Sequence, residues 1–186
     1  MNANNVSRQS PRVLCVMVDG FEEIELVTPV DVLRRAGVEV VIAGLTDLSA
    51  VGRCGMRLHA DRLLAEVLDG DFDLLYLPGG PGVAALRADK RVVKLAQEFV
   101  LTGRKVAAIC AAPLILMDAG LLKGKQFTAF PSVRNELGGG LEKRVVVDGS
   151  LITSAGAGTA LDMGLELITQ LCGASVSTQV AKEIVA

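Results

Sequence analysis

Residues 105–122 read K-V-A-A-I-C-A-A-P-L-I-L-M-D-A-G-L-L, a short apolar run followed at once by a helical pattern. The run 105–109 predicts a strand buried on both faces, and 111–122 predicts a helix that packs over it. A strand that leads directly into a helix is the repeating unit of a parallel α/β sheet. The sequence therefore predicts an α/β fold in which Cys110 lies where a strand ends and a helix starts.

The same alternation extends in both directions from this segment. Further strands and helices are predicted, in chain order, at 12–18, 22–36, 38–45, 74–77, 83–102 and 159–171. Smaller features are two hairpins and a short strand, predicted at 50–60, 144–153 and near Phe127. Strands separated by helices of this length form parallel βαβ units. We expect a flavodoxin-like three-layer α/β/α sandwich with a mostly parallel sheet, formed by one domain over 12–186 behind a disordered tail at 1–11.

Composition excludes several classes of function. Hydrophobic residues make up 51% of the 186 residues, which is enough for a large core. Lys plus Arg number 19 against 21 Asp plus Glu, and aromatic residues are only 3%, so nucleic acid is not an expected ligand. No apolar run reaches the length of a membrane span, and the polar N-terminal segment lacks the apolar core of a signal peptide. We expect a cytoplasmic protein with no membrane contact.

The cysteines and the histidine do not form a recognisable metal or disulfide pattern. Four cysteines are widely spaced and include no C-x-x-C pair, at Cys15, Cys54, Cys110 and Cys172. His59 is the single histidine, so no metal site is expected. The G-A-G at 156–158 precedes a helix, but Leu161 replaces the third glycine of a dinucleotide fingerprint. The sequence thus predicts no cofactor.

Three segments are predicted to meet beyond the carboxyl ends of the strands, where open α/β sheets bind ligands: 19–25, 78–82 and 110–113. Cys110 has two interpretations there. A thiol at a strand-to-helix turn, beside the positive end of a helix, has the geometry and the lowered pKa of a nucleophile. A free cysteine also commonly packs as a small hydrophobic residue.

The other two segments leave similar alternatives open. The amides of Gly79 and Gly80 could stabilise an oxyanion, or the glycines could simply turn the chain. Glu22, Glu23 and Glu25 lie in the first turn of a predicted helix, where acidic residues are ordinary. A carboxyl group buried beside the thiol would move protons, but periodicity does not choose among the three.

Several motifs together resemble the ThiJ/PfpI superfamily, in the branch that contains the parkinsonism-associated protein deglycase and the bacterial chaperone YajL. They are G-F-E-E-I-E at 20–25, P-V-D-V-L-R-R-A-G at 29–37, L-P-G-G at 77–80, A-A-I-C-A-A-P at 107–113 and T-S-A-G-A-G-T-A at 153–160. The resemblance covers nearly the whole predicted domain. It implies a homodimer without a cofactor.

The resemblance also assigns roles. Cys110 matches the family's reactive cysteine, which oxidises readily to a sulfinic acid, and Glu25 matches the carboxyl group that hydrogen-bonds its sulfur. Backbone amides that line the small anion or oxyanion pocket are implied at Gly79, Gly80 and Ala111. Arg35 matches a position close to the cleft and the dimer contact.

Two departures narrow the chemistry that the resemblance implies. Ala111 stands where the peptidase branch has a histidine, and Phe130 stands where many members have a pocket histidine. Acid–base chemistry would then depend on Glu25, backbone and water. We expect a glyoxalase III-like or deglycase-like enzyme that acts on glyoxal, methylglyoxal or their adducts. The alternatives are a redox-responsive chaperone or oxidative-stress sensor, and a structural domain with an inert cysteine.

Overall fold

The structure, a computed structural model, describes residues 10–186, and most of the predicted tail at 1–11 lies outside them. The strands are β1 (Arg12–Met17), β2 (Glu39–Gly44), β3 (Ser49–Val51), β4 (Arg57–His59), β5 (Arg62–Leu63), β6 (Leu74–Leu77), β7 (Lys105–Ile109), β8 (Val145–Asp148) and β9 (Leu151–Ser154). The α-helices are α1 (Glu23–Arg35), α2 (Val83–Ala88), α3 (Lys90–Leu101), α4 (Pro113–Asp118), α5 (Arg134–Leu137), α6 (Ala160–Cys172) and α7 (Ala174–Glu183). Pro11 already belongs to the packed structure, because its carbonyl accepts from Glu39 N at 2.9 Å.

Seven strands form one sheet in the order β5-β2-β1-β6-β7-β9-β8. Its pairs are parallel except for the β8–β9 hairpin at one edge. The predicted hairpin at 50–60 is the separate antiparallel pair β3–β4. The expected α/β fold with a mostly parallel sheet is confirmed.

Apolar side chains leave the sheet on both faces, which makes it the middle of three layers. Along β1, Val13, Cys15 and Met17 join the core beneath α1 and α6, while Leu14 and Val16 join the core beneath α3 and α4. This alternation is the period of two that a strand imposes on its side chains. All five residues are buried, as expected for a strand covered by helices on both faces.

Two predicted helices are shorter than their patterns suggested. The segment 83–102 is broken at Asp89, whose backbone is extended. The Asp89 side chain caps α3, since its Oδ1 accepts from Arg91 N at 2.9 Å. The second helix begins at Pro113 rather than at 111 and ends at Asp118. The Asp89 side chain thus divides the first predicted helix into α2 and α3. In the second, Pro113 occupies the first helical position and sets the start of α4.

The short strand predicted near Phe127 is absent from the described structure. Residues 125–130 run past β9, but Thr128 N donates to the Thr153 side-chain hydroxyl at 2.9 Å instead of to a backbone ladder. β9 already has β7 on one side and β8 on the other, so no ladder position remains beside it. The apolar pattern around Phe127 therefore reflects burial of these side chains and not pairing in a strand.

From β1 the chain adds β2 and then β5 on one side of it, and afterwards crosses to the other side to add β6 and β7. The carboxyl ends of β1, β6 and β7 consequently face a crevice at this change of direction, which is where α/β folds bind ligands. No helix within 10–186 is long and apolar enough to cross a bilayer.

Candidate active site

Cys110 occupies a strained turn directly after β7. Its φ of 64° lies in the left-handed region, which a residue with a side chain adopts at a cost of about 1–3 kcal/mol. Neighbouring backbone holds it there, because Cys110 N donates to Ser154 O at 2.9 Å and Phe130 N donates to Cys110 O at 2.8 Å. The predicted sharp turn between a strand and a helix is therefore present, and its thiol is half-buried.

Glu25 is the carboxyl group that meets this thiol. It lies on α1, is only 1% exposed, and is close enough to the Cys110 thiol for each group to shift the pKa of the other. Its Oε2 also accepts from Gly79 N at 2.9 Å. The choice that the sequence left open among three acidic residues is thus decided by the direction in which each side chain leaves the start of α1.

Gly79 has no room for a side chain. A Cβ atom there would lie 2.5 Å from Glu25 Oε2 and 2.7 Å from Cys110 Cβ, far inside normal contact distance. The glycine after β6 therefore lets the carboxyl group and the thiol approach each other across its Cα. Because its amide is already donated to Glu25, Gly79 positions the carboxyl group and is not a free oxyanion donor.

Burial dominates the electrostatics of the pair. It raises the pKa of Glu25 to about 7, although hydrogen bonds from the Cys110 thiol and the Gly79 amide act in the other direction. Burial, followed by the charge of Glu25, raises the pKa of Cys110 to about 12. The prediction of a lowered pKa for Cys110 is therefore wrong while Glu25 is ionised. Helix α4 begins only at Pro113, and its positive end does not offset the desolvation of the thiol.

The two groups nevertheless form one titrating unit. Between pH values near 7 and near 12, Cys110 and Glu25 together hold one proton and one negative charge. The backbone amides of Gly80 and Ala111 lower the pKa of the Cys110 thiol, whereas the Gly79 amide donates to the carboxyl group. The predicted amide positions therefore surround the pair, two at the sulfur and one at the carboxyl group.

The remaining predicted site residues differ in their distance from the pair. The Phe130 ring is 44% exposed and packs over Gly156, whose Cα in turn faces Glu25. Arg35 lies ten residues beyond Glu25 on the same helix, about 15 Å along its axis, and binds Asp31 at 3.1 Å. Within one chain, the structure does not bring Arg35 to the pocket.

Sequence reasoning missed Tyr76, which is fully buried in β6 and donates its hydroxyl hydrogen to the Glu25 backbone carbonyl. The bond connects the sheet to the first turn of α1, where the carboxyl group is held. A signal was available, because Tyr76 is the single tyrosine of the chain and sits in an otherwise aliphatic strand. A buried hydroxyl group needs a partner.

Glu22 and Glu23 leave the same turn in another direction, toward the loop between β3 and β4. Glu22 Oε2 lies 3.4 Å from Arg53 Nη1. Glu23 accepts from the amides of Cys54 and Met56. Together with the Cys54 thiol, these two carboxylates are the residues within 10–186 whose donor atoms are grouped closely enough to hold a metal ion.

Residues 11–170 match the model of the DJ-1/PfpI family. The chain belongs to this family. Protein dj-1beta of Drosophila melanogaster is 38% identical over 180 residues, which cover 93% of this chain and 96% of that protein. Deglycase PfpI of Pyrococcus furiosus is 34% identical over 147 residues, 77% of this chain and 89% of that protein. The DJ-1 homolog B of Arabidopsis thaliana is 39% identical, but the chain spans only 41% of its length.

Solved structures of DJ-1/PfpI proteins show the same architecture. The crystal structure of Drosophila DJ-1beta superposes with a TM-score of 0.92 at 36% identity, covering 95% of this chain and 98% of that one. Oxidized DJ-1 of Toxoplasma gondii gives a TM-score of 0.91 at 30% identity, with 95% and 98% covered. The resemblance inferred from the motifs is confirmed at the level of family and fold.

Proposed function

We propose that the protein is a cofactor-independent enzyme that converts reactive dicarbonyls such as methylglyoxal to hydroxy acids through Cys110. The observation that supports this most directly is geometric. A half-buried thiol on a strained turn faces a buried carboxyl group, with amides on both of them. The names of the archaeal deglycases agree with carbonyl chemistry in this family.

The reaction begins with addition of the Cys110 sulfur to the aldehyde carbon. In the reactive form, Glu25 holds the proton that the pair shares, and the sulfur carries the negative charge. This form is the minor one, because the pKa of Glu25 lies below that of Cys110, and the Gly80 and Ala111 amides increase its population by lowering the pKa of the thiol. As the carbon–sulfur bond forms, Glu25 gives its proton to the carbonyl oxygen, and the product is a neutral hemithioacetal.

The Glu25 carboxylate then takes the hydrogen from the former aldehyde carbon as a proton, which gives an enediol, and returns it to the neighbouring carbon. The hydroxyl proton of the hemithioacetal passes to the second oxygen, so that the first oxygen becomes the thioester carbonyl. The first carbon is oxidised to a thioester and the second is reduced to an alcohol, so no external oxidant or reductant is needed. Water cleaves the thioester, releases lactate and restores the thiol. Overall, methylglyoxal and one water give lactate and one proton.

A deglycase activity would follow from the same addition step on glycated adducts. Removal of free dicarbonyl also reverses adducts that are in equilibrium with it. Assays on adducts therefore need a measurement of the free dicarbonyl beside them.

The deciding experiment is lactate formation from methylglyoxal without glutathione, measured as product. We expect the wild type with a reduced thiol to form lactate, Cys110→Ala to form none, and Cys172→Ala to match the wild type, since Cys172 lies at the end of α6 away from the pocket. No lactate from folded, reduced wild type would overturn the proposal.

A second function is supported by a specific observation, the oxidized state recorded for the Toxoplasma relative. A redox sensor or chaperone would use the same half-buried thiol, with Glu25 holding the proton beside a sulfinate. Mild peroxide followed by mass spectrometry tests it. Formation of sulfinate at Cys110 in the wild type, with a different oxidation product in Glu25→Ala, would support a sensor. The same oxidation product in both proteins would count against a role for Glu25 in holding the sulfinate.

We also propose a homodimer. The apolar side chains Ile24 and Val27 are exposed one turn apart on α1, and Val27 lines a surface groove with Leu58 and His59 of β4. Sedimentation velocity of wild type and Val27→Glu tests this, with a shift to monomer expected for the variant. A wild type that sediments as a monomer would contradict the proposal. The cytoplasmic location stays a prediction.

A further inference from the structure

A second thiol–carboxylate cluster lies on the other side of the start of α1. One ligand atom from each of Glu22, Glu23 and Cys54 lies within 4.8 Å of the other two. The two carboxylates are 7% and 5% exposed, while Cys54 is exposed at the tip of the β3–β4 hairpin. The cluster therefore combines a buried, fixed pair of anions with a thiol on the surface.

The hairpin loop is built around the Glu23 carboxylate. Its Oε1 accepts from Cys54 N at 2.9 Å and from Met56 N at 3.3 Å. Gly52 lies so close beneath the carboxyl group that a Cβ atom there would overlap Glu23 Oε1. The loop thus requires Glu23 in one orientation and brings Cys54 to it.

One oxygen of this carboxylate has no such partner. Glu23 Oε2 is buried and accepts no hydrogen bond in the described structure. A buried carboxylate oxygen without a donor loses its hydration without replacement, which is costly. One oxygen of the same carboxylate lies within 4.8 Å of the ligand atoms of Glu22 and Cys54, so a cation placed among the three groups would compensate the buried charge of Glu23.

The charges and donor types select the cation. Two carboxylates and the Arg53 guanidinium beside Glu22 leave the cluster with one net negative charge while Cys54 is a thiol. Binding of a divalent ion, with release of the thiol proton to solvent, makes the whole group neutral. Thiolate with carboxylate suits Zn²⁺, whereas Mg²⁺ and Ca²⁺ prefer oxygen ligands alone.

We propose that Glu22, Glu23 and Cys54 form a zinc-binding site, with water as the fourth ligand. Tetrahedral zinc with bonds of about 2.0–2.3 Å places its ligands about 3.5 Å apart, so the cluster must contract by about 1 Å. Cys54 supplies this movement, because it lies on an exposed loop. Neither Cys110 nor Glu25 is a ligand of this site, so zinc binding is measured separately from lactate formation.

Isothermal titration calorimetry of the metal-free full chain with zinc chloride tests the site. We expect one equivalent to bind, and Cys54→Ser and Glu23→Gln each to weaken the affinity at least about tenfold. Glu23→Gln keeps an oxygen for the two loop amides, and Cys54 is exposed, so circular dichroism should show both variants folded. Cys172→Ser and Cys110→Ala should bind zinc like the wild type.

Cobalt(II) identifies the ligands directly. The wild type should show thiolate-to-cobalt charge-transfer absorption and the intense visible bands of a tetrahedral site, both lost in Cys54→Ser and kept in Cys110→Ala. Zinc affinity unchanged in Cys54→Ser would overturn the proposal, as would loss of binding in Cys110→Ala. Equal affinity for magnesium without thiolate absorption would also overturn it and leave only an acidic patch.

Discussion

The start of α1 carries two pairings of a glutamate with a cysteine, and their surroundings differ. Glu25 meets Cys110 in a pocket whose backbone is fixed by the strands β6, β7 and β9. Glu23 meets Cys54 on the tip of a two-stranded hairpin, where the carboxylate is buried but the thiol is exposed. The Glu25–Cys110 pair is therefore held by rigid backbone, whereas in the Glu23–Cys54 pair the thiol lies on an exposed loop.

This difference suits Cys110 to reaction with a substrate and Cys54 to binding of a metal ion. A nucleophile requires a fixed geometry and neighbouring amides that stabilise its thiolate, and both are present around Cys110. A metal ligand must instead be able to move a little and to give up its proton to solvent, which suits Cys54 on its exposed loop. The contrast predicts that changes at one pair leave the other undisturbed.

Replacing the carboxyl group of the Glu25–Cys110 pair should give the largest effect. Glu25→Gln keeps the shape and the bond from Gly79 but cannot move a proton, so we expect lactate formation to fall by about 10²–10⁴-fold. Zinc affinity should stay as in the wild type. The measurement is product formation beside zinc calorimetry, with Glu98→Gln on the surface of α3 as the control for loss of a carboxylate. Full activity in Glu25→Gln would remove Glu25 from the mechanism.

Changing the distance within the Glu25–Cys110 pair should reduce lactate formation somewhat less. In Gly79→Ala the new methyl group meets Glu25 Oε2 and Cys110 Cβ, so the carboxyl group and the thiol must separate. We expect about 10²-fold less lactate, as for a misplacement of about 1 Å, and a loss of about 1–3 kcal/mol in the free energy of unfolding.

Gly158→Ala is the matched control for that substitution, because nothing lies within 4 Å of the position of its Cβ. Activity and denaturant midpoint should both stay near the wild-type values. Should Gly79→Ala behave like Gly158→Ala, the close approach across Gly79 would not be what holds the pair.

The two pairs also show how far the sequence alone could lead. The strand that ends at Cys110 and the glycines after Leu77 were enough to place the pocket, because carboxyl ends of parallel strands meet. The direction of Glu25 was set by how α1 packs on the sheet, and only the family motif indicated it beforehand. The cluster at Cys54 could not be foreseen, since the hairpin reaches Glu23 across about thirty residues with no spacing rule.

The pH dependence of alkylation should distinguish the two thiols. Cys110 shares a proton with Glu25, so its reaction with iodoacetamide should rise about tenfold per pH unit and level off above about pH 7. The pKa of Cys54 is raised above 9.0 by burial and the neighbouring carboxylates, so its rate should keep rising past that value. Peptide mass spectrometry, with a chelator present, measures both thiols in one sample. Parallel profiles would show that Cys110 gains nothing from Glu25.

Removal of one hydroxyl group beneath Glu25 should give the smallest effect. Tyr76→Phe keeps the ring in the core but leaves the Glu25 carbonyl without its donor, and we expect a loss of about 1–3 kcal/mol in the free energy of unfolding. The Glu25 side chain is still held by Gly79, so lactate formation should fall only a few-fold. Urea denaturation and product formation measure the two effects. A loss of activity as large as in Glu25→Gln would mean that the sheet, through Tyr76, and not the Gly79 amide, holds the carboxyl group at the sulfur.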